Sequence, residues 1–226
     1  QSVIVEALMR PEAYDHEVGE VGLVQTHISF VFLAGDYVYK VKKAVNLGFL
    51  DFTTLEKRRF FCERELELNR RLCGDMYVEV VPLNRSDGIR VKGEGETVEY
   101  AVKMRRMPEE RMMSRLLEGG EVDEGVIDEI ARIVADFHSK AETSGEISRF
   151  GSLRVIGANW RENFEQTREF IGRTITPHEF ELVREKVNGF MKARVRLFEE
   201  RVAEGRIRDC HGDIHSGNIF VADRIY

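Results

Sequence analysis

Four side chains that could do chemistry fall within eight residues of the stretch DCHGDIHSGNIF (209–220): His211, Asp213, His215 and Asn218. Carboxylate and amide oxygens are the ligands that Mg²⁺ prefers, and imidazole suits Zn²⁺. A carboxylate can also accept a proton from an attacking hydroxyl group. The stretch is therefore compatible with a metal centre, with a loop for phosphoryl transfer, or with a polar turn that has no chemical role.

A metal centre would use the alternation of His211, Asp213 and His215. Alternate residues of a strand share a face, so these three could hold Zn²⁺ or Mn²⁺. Gly212 and Gly217 weaken a strand, however, and the sequence has no second cluster of His and Asp. A metal-dependent hydrolase and a plain polar turn stay open as alternatives.

Phosphoryl transfer accounts for more of these residues at once. It needs a carboxylate near the attacking hydroxyl group and an oxygen ligand for Mg²⁺ near the phosphates. In the protein-kinase loop, the catalytic Asp is followed by four residues and then by Asn. Asp213 and Asn218 have this spacing, and His211 precedes the Asp by two residues. The apolar residues 219–221 predict a strand after the loop.

The residues before 107 predict an antiparallel sheet of about five strands with one helix. The stretches 27–34 and 37–43 flank a Gly35-Asp36 turn and predict a hairpin, and further strands are predicted at 77–83, 88–93 and 97–104. Alternation divides the second hairpin strand between two faces, with Tyr37, Tyr39 and Val41 on one and Val38, Lys40 and Lys42 on the other.

The helix among these strands is predicted to begin at a capping box formed by Thr53 and Glu56. An apolar stripe at helical spacing follows, made of Phe61, Leu68 and Leu72. The position that completes the stripe is Glu65. A carboxylate on the inward face of a helix is costly unless a cation pairs with it. Lys40 on the neighbouring strand is the expected partner.

From residue 107 onward the pattern becomes helical. Amphipathic helices are predicted within 111–117, 122–143, 159–172 and 178–205, the last as one long helix. The predicted fold class is therefore α+β with two lobes. A β-rich lobe covers residues 1–106, and a helical lobe that contains the loop 211–218 covers residues 107–226.

The composition argues against several classes of protein. The chain has 226 residues, of which 42% are hydrophobic and 33% charged, as is typical of a folded protein. Its net charge of −6 disfavours general nucleic-acid binding. Three widely spaced cysteines fit no zinc spacing and indicate a reducing compartment. We therefore expect a cytoplasmic protein that acts on neither nucleic acids nor membranes.

The loop and the β-rich part together resemble a known family. HGDIHSGNIF (211–220) is similar to the catalytic loop of aminoglycoside phosphotransferases and choline-kinase-like proteins. Residues 26–72 resemble the first domain of bacterial bifunctional aminoglycoside phosphotransferase/ATP-binding proteins, in which a P-loop ATPase domain often follows. The resemblance implies a protein-kinase-like bilobal fold. It also implies an ATP- and Mg²⁺-dependent kinase that phosphorylates a hydroxyl group of a small molecule.

The resemblance assigns a role to each candidate residue of the site. It implies that Lys40 contacts the α- and β-phosphates of ATP and that Glu65 holds Lys40 in place. It makes Asp213 the catalytic base and Asn218 a Mg²⁺ ligand. It also implies that His211 supports the catalytic loop.

The family pattern also predicts where the rest of the nucleotide lies, with two departures. The hinge backbone between Met104 and Met107 would meet the adenine. No glycine-rich loop is present, and QTHISF (25–30), including Ser29, would supply polar contacts to the phosphates instead. The second metal ligand and the last helices of the family would lie beyond Tyr226, so we expect the helical lobe of this sequence to be truncated.

An alternative from a different class remains on the sequence alone. The chain could be a pseudokinase-like module that binds nucleotide and regulates a fused ATPase domain without transferring phosphate. The sequence does not predict which small molecule would be the acceptor, because a shared fold does not fix the substrate.

Overall fold

The computed structural model describes residues 1–48 and 50–226. They divide into two compact units. Unit 1 consists of Gln1–Ile130 and Asp213–Tyr226, and unit 2 consists of Ala131–Gly212. The predicted boundary between the lobes 1–106 and 107–226 stays a prediction. In the described part of the chain, no helix is long and apolar enough to cross a membrane.

Unit 1 contains an antiparallel six-stranded sheet, so the α+β class is confirmed. Its elements are α1 (Ser2–Leu8), β1 (Val21–Gln25), β2 (Ser29–Ala34), β3 (Tyr37–Lys42), α2 (Leu55–Cys73), β4 (Tyr77–Arg85), β5 (Ile89–Val91), β6 (Glu96–Arg105) and α3 (Met113–Glu118). The strand order is β1-β2-β3-β6-β4-β5. The helix α4 (Glu124–Lys140) begins in unit 1 and continues in unit 2.

The predicted β2–β3 hairpin is confirmed. Ala34 pairs with Tyr37, so Gly35 and Asp36 form a two-residue turn. Gly35 has a φ of 58°, which glycine adopts without the steric cost that a Cβ would bring. The tight turn fixes the register of β3 and therefore decides which of its side chains share a face.

The predicted division of β3 into two faces is also confirmed. Tyr39 and Val41 are fully buried in the main hydrophobic core, to which α1 contributes Ile4 and Leu8. The intervening lysines of β3 lie on the opposite face, where both ammonium groups contact a side chain of α2. The sheet therefore lies between a hydrophobic core on one face and a charged helix contact on the other.

Two elements of unit 1 were missing from the prediction. The strand β1 contains Gly22, which interrupts its alternation and weakens the strand pattern. The helix α1 lacks a side-chain cap, and it buries Ile4 and Leu8 in the core. Helices this short depend on tertiary packing, which no local sequence signal records.

The predicted capping box of α2 is wrong. The N-cap residue is Thr54, whose hydroxyl accepts the backbone N–H of Lys57 at 3.3 Å. Thr53 instead donates its hydroxyl to Asp51 at 2.6 Å. The helix thus begins one residue later than the capping-box pattern indicated, because the Asp51 carboxylate competes for the Thr53 side chain.

Unit 2 is helical. After the end of α4 it contains α5 (Gly145–Ser148), α6 (Leu153–Thr167), α7 (Pro177–Ala193) and α8 (Val195–Ala203). The prediction of one long helix over 178–205 is wrong, because the chain leaves helical geometry at Arg194, with φ −117° and ψ 26°. A capping box between Thr176 and Glu179 starts α7.

Candidate functional site

The first cluster of candidate residues joins β3 to α2 in unit 1. Lys40 Nζ donates to Glu65 Oε1 at 2.8 Å, and Lys42 Nζ donates to Glu65 Oε2 at 2.6 Å. The two lysines alternate on one strand and therefore share a face. The predicted Lys40–Glu65 pair is confirmed, and Lys42 joins it as a second cation. We call these three residues the lysine–glutamate cluster.

Burial differs within the lysine–glutamate cluster. The exposed fraction of the side chain is 29% for Lys40, 6% for Lys42 and 13% for Glu65. Burial alone would raise the pKa of Glu65, but the charges and hydrogen bonds of the two lysines outweigh it, so the pKa is lowered. Glu65 is therefore ionised at neutral pH, and Lys40 is the most accessible of the three side chains.

A second ion pair fixes the start of α2 against β6. Arg58 Nε donates to both carboxylate oxygens of Glu99, at 2.8 and 2.9 Å. Glu99 is fully buried, and the Arg58 side chain is 9% exposed. Arg58 Nη1 also donates to the backbone carbonyl of Phe52 at 3.0 Å. Because Arg58 precedes Glu65 by about two helical turns on α2, this pair helps to hold Glu65 over β3.

Gln1 connects the two ion pairs. Its Nε2 donates to Glu99 Oε2 at 3.0 Å and to the backbone carbonyl of Lys42 at 2.9 Å. Its Oε1 accepts the backbone N–H of Ala44 at 2.8 Å. The amide side chain thus satisfies polar groups of β3 and β6 together, next to the lysine–glutamate cluster.

The stretch 25–30 contains the end of β1, the turn at 26–28 and the start of β2. The backbone N–H of Thr26 donates to the carbonyl of Ser29, and Thr26 Oγ1 accepts the N–H of Ser29 at 3.0 Å. Ser29 pairs with Lys42 in the sheet and is fully buried, and among the described residues its Oγ has no hydrogen-bond partner. His27 is exposed in the turn. A phosphate contact through Ser29 stays a prediction and would require its hydroxyl to become accessible.

The predicted hinge lies where β6 ends. Met104 is paired with both β3 and β4 and so belongs to the sheet. The backbone N–H of Arg106 donates to the carbonyl of Asp36 at 2.8 Å. Met107 follows this hydrogen bond and is half-buried. The contact of Met104 and Met107 with an adenine stays a prediction, and Met107 is the one of the two outside the sheet.

The second cluster of candidate residues lies in the loop 213–218, which we call the Asp–Asn loop. Asn218 Nδ2 donates to Asp213 Oδ2 and to the Asp213 backbone carbonyl, each at 3.0 Å. The same nitrogen lies 2.9 Å from His215 Nε2. His215 Nδ1 accepts the backbone N–H of Gly217 at 3.1 Å. The structure therefore brings Asp213, His215 and Asn218 into one contact group.

The Asp–Asn loop is open to solvent. The exposed fraction of the side chain is 75% for Asp213 and 57% for His215. His215 Nε2 lies 3.8 Å from Asp213 Oδ1, on the side of the carboxylate that Asn218 does not contact. A carboxylate at this position can reach a dissolved ligand without any rearrangement of the loop.

Backbone hydrogen bonds hold the far end of the Asp–Asn loop. The N–H of Met113 donates to the carbonyl of Ile219, and the N–H of Val221 donates to the carbonyl of Arg111, both at 2.8 Å. Val221 is buried against α3. The strand predicted at 219–221 is wrong as a continuous strand, because Phe220 and Val221 form two isolated β-bridges with different partners.

His211 belongs to unit 2, where it is half-buried. The residues before it are tied to the end of α4. Arg208 Nη1 donates to the carbonyl of Ala141 at 2.9 Å, and the N–H of Asp209 donates to the carbonyl of Glu142 at 2.9 Å. A supporting role of His211 for the catalytic loop stays a prediction.

The candidate residues thus form two groups in unit 1. Lys40 is joined to Glu65, and Asp213 is joined to Asn218. Over residues 1–48 and 50–226, the structure contains no group of three or more His, Cys, Asp and Glu side chains that could hold a metal ion. The alternation of His211, Asp213 and His215 therefore does not form such a group.

Sequence reasoning missed two residues that organise the first group. Lys42 was placed on the correct face of β3, but it was not paired with Glu65. Arg58 lies seven residues before Glu65, a spacing that returns to the same helix face, and this was a usable signal. Its partner Glu99 is distant in sequence, and no local pattern predicts that contact.

Comparison with known proteins identifies related proteins whose names do not state an activity. No protein-family model matches the chain. Over 199 residues, 88% of this chain, it is 33% identical to an uncharacterized protein of Mycobacterium bovis. The same values hold for uncharacterized proteins from two strains of Mycobacterium tuberculosis. The match covers 39% of these relatives, so the chain spans about two fifths of the length of the curated relatives it matches.

Proposed function

We propose that this protein is an ATP- and Mg²⁺-dependent phosphotransferase with a protein-kinase-like fold. It transfers the γ-phosphoryl group of ATP to a hydroxyl group of a small molecule. The cytoplasmic location and the fused P-loop ATPase domain that the family resemblance implies belong to the same proposal.

The observation that carries this proposal is the Lys40–Glu65 contact. Protein kinases need an ion pair between a Lys on the third strand and a Glu on the helix that follows, because the pair positions the nucleotide phosphates. Lys40 lies on β3, Glu65 lies on the next helix, and their charged atoms are 2.8 Å apart. The Asp–Asn loop, with the spacing of a kinase catalytic loop, belongs to the same compact unit.

Each residue of the site has a distinct task in this proposal. Lys40 binds the α- and β-phosphates, and Glu65 keeps its ammonium group in place. Asp213 aligns the acceptor hydroxyl group and takes its proton at a carboxylate oxygen. Asn218 fixes that carboxylate through its amide nitrogen, as its 3.0 Å hydrogen bond to Oδ2 indicates.

The Asp–Asn loop also fits a magnesium ion. Mg²⁺ is usually held by one or two protein oxygens together with substrate phosphates. The contacts of Asn218 with Asp213 use its amide nitrogen, which leaves Oδ1 out of these hydrogen bonds and suited as an oxygen donor. When bound, the ion supplies neutralisation of negative charge on the phosphate oxygens.

A phosphotransfer assay tests the proposal. The full-length protein is incubated with ATP, Mg²⁺ and a panel of hydroxyl compounds that includes aminoglycosides, amino alcohols and sugars. ADP formation and phosphorylated product are both measured. We expect ADP formation that depends on one class of acceptor and that is lost in the Asp213→Asn variant, which removes the proton acceptor but keeps the shape of the side chain.

The control separates the proposal from the regulatory alternative. An exposed aspartate outside the loop, Asp136, is changed to Asn and should leave the rate unchanged. ATP binding without product for any acceptor class would contradict phosphotransfer and support the pseudokinase-like module. Absence of Mg²⁺-dependent ATP binding would contradict both.

A further inference from the structure

The lysine–glutamate cluster contains one cation more than a simple Lys–Glu pair. Two ammonium groups face one carboxylate, so the cluster has a net charge of +1. The neighbouring Arg58–Glu99 pair is balanced and adds no net charge. The surplus positive charge therefore resides on Lys40 or on Lys42, and burial decides which of them can offer it to a ligand.

Lys42 is built into the protein interior. Its side chain is 6% exposed, its ammonium group donates to Glu65 Oε2 at 2.6 Å, and it lies 4.9 Å from the centre of the Phe52 ring. Lys40 donates to the other carboxylate oxygen and is 29% exposed. Glu65 is thus neutralised from the interior by Lys42, while Lys40 faces the accessible side.

We propose that Lys42 is a positioning residue that neutralises and anchors Glu65, which leaves the charge of Lys40 available for an anionic polyphosphate. The inference rests on the proposed function in so far as the polyphosphate is that of ATP. If Lys42 were absent, Lys40 would be the only cation of the cluster that pairs with Glu65, and it could not turn toward phosphates without leaving a buried carboxylate unpaired. When Lys40 turns toward phosphates, Lys42 keeps the Glu65 carboxylate paired, so no buried charge is left alone.

A double-mutant cycle with ATP and Mg²⁺ tests this role. Dissociation constants are measured by calorimetry for the full-length wild type, Lys42→Met, Glu65→Gln and the double variant. We expect Lys42→Met to weaken ATP binding about tenfold, because Lys40 is then the only cation of the cluster that keeps Glu65 paired. In the Glu65→Gln background, Lys42→Met should weaken ATP binding less than about threefold, since no carboxylate then depends on Lys40 for a partner.

Two results of the cycle would overturn the inference. An unchanged affinity in Lys42→Met would show that the second lysine does not affect the ligand. An equal loss with and without Glu65→Gln would show that Lys42 acts on the ligand directly or only through the fold. Lys57→Met, which removes a lysine from an exposed ion pair with Asp51, is the matched control and should bind ATP like the wild type.

A measurement without nucleotide separates this inference from the proposed function. The carboxyl carbon of Glu65 is followed by NMR during an acid titration. Lys42→Met should raise the pKa of Glu65, because it removes a cation that donates a 2.6 Å hydrogen bond to the carboxylate. An unchanged pKa of Glu65 would contradict the role of Lys42. Failure of the wild type to bind ATP, with the expected titration, would overturn the proposed function alone.

Discussion

The lysine–glutamate cluster and the Asp–Asn loop are built in opposite ways. Glu65 is 13% exposed and lies on a long helix, whereas Asp213 is 75% exposed and lies on a short loop. The cluster is held by ion pairs between regular elements. The loop is held by hydrogen bonds among its own residues and by two backbone contacts at its far end.

This difference indicates that changes in the two regions should have different effects. Buried charges must remain paired, so changes in the cluster affect the stability of the fold together with any ligand bound there. Exposed side chains of a loop contribute little to stability, so changes in the Asp–Asn loop should leave the fold intact, and any effect should fall on the proposed phosphotransfer. Variants of the cluster and of the loop can therefore test whether the two regions differ in this way.

The largest effect is expected from Asp213→Asn. Loss of a general base lowers a turnover rate by about 10²–10⁴-fold. The melting temperature and the affinity for ATP should stay close to those of the wild type, because the side chain is exposed. Steady-state kinetics with the acceptor, together with calorimetry, measure both quantities. A large drop in melting temperature would contradict the division between cluster and loop.

A large loss of stability is expected from Arg58→Met. The change leaves Glu99 charged and fully buried without its partner, and breaking such a pair costs about 3–5 kcal/mol in the free energy of unfolding. Urea denaturation measures this free energy. Arg59→Met breaks the exposed Arg59–Glu63 pair on the same helix and should cost less than about 1 kcal/mol. Equal losses in the two variants would refute the structural role of the buried pair.

The ion pairs of Glu65 make stability depend on pH. The pKa of Glu65 is lowered in the folded protein, so its contribution is present above the unfolded-state pKa of about 4.3 and is lost as the pH falls through the folded value. The wild type should therefore have a higher free energy of unfolding than Glu65→Gln at neutral pH. This difference should shrink as the medium becomes more acidic. A difference that stays constant from neutral pH to strongly acidic pH would contradict the ionised cluster.

The smallest effect is expected at the start of α2. Thr54→Ala removes the N-cap and should lower the free energy of unfolding by about 1 kcal/mol. Thr53→Ala removes only a hydroxyl contact with Asp51 and should cost less. Thermal unfolding of the two variants side by side makes the comparison, and a larger loss for Thr53→Ala would favour the capping box that the sequence indicated.

The sequence predicted the parts of this site that depend on local periodicity. Alternation placed Lys40 and Lys42 on one face of β3, and helical spacing turned Glu65 inward, so the contact of Lys40 with Glu65 could be expected. The Gly35-Asp36 turn then set the hairpin register. These signals are local, and each of them directly sets either the face on which a side chain lies or the register of a strand.

The parts that depend on contacts between distant segments were not predictable. Arg58 becomes buried only because Glu99 on β6 lies beneath it, and α1 is helical because the core receives Ile4 and Leu8. The break at Arg194 carries neither Pro nor Gly, the residues that most often mark the end of a helix. The Asp213–Asn218 contact was predictable only in part. The spacing of the two residues could be read from the sequence, but the hydrogen bond between them could not.

The most direct test of the account is a calorimetric titration of the full-length protein with ATP, with and without Mg²⁺. The wild type is compared with Lys40→Ala and Asp213→Ala. We predict Mg²⁺-dependent binding that weakens at least about tenfold in Lys40→Ala and persists in Asp213→Ala. Binding that is unaffected by Lys40→Ala, or absent from the wild type, would contradict the central claim that the lysine–glutamate cluster is a nucleotide-phosphate site.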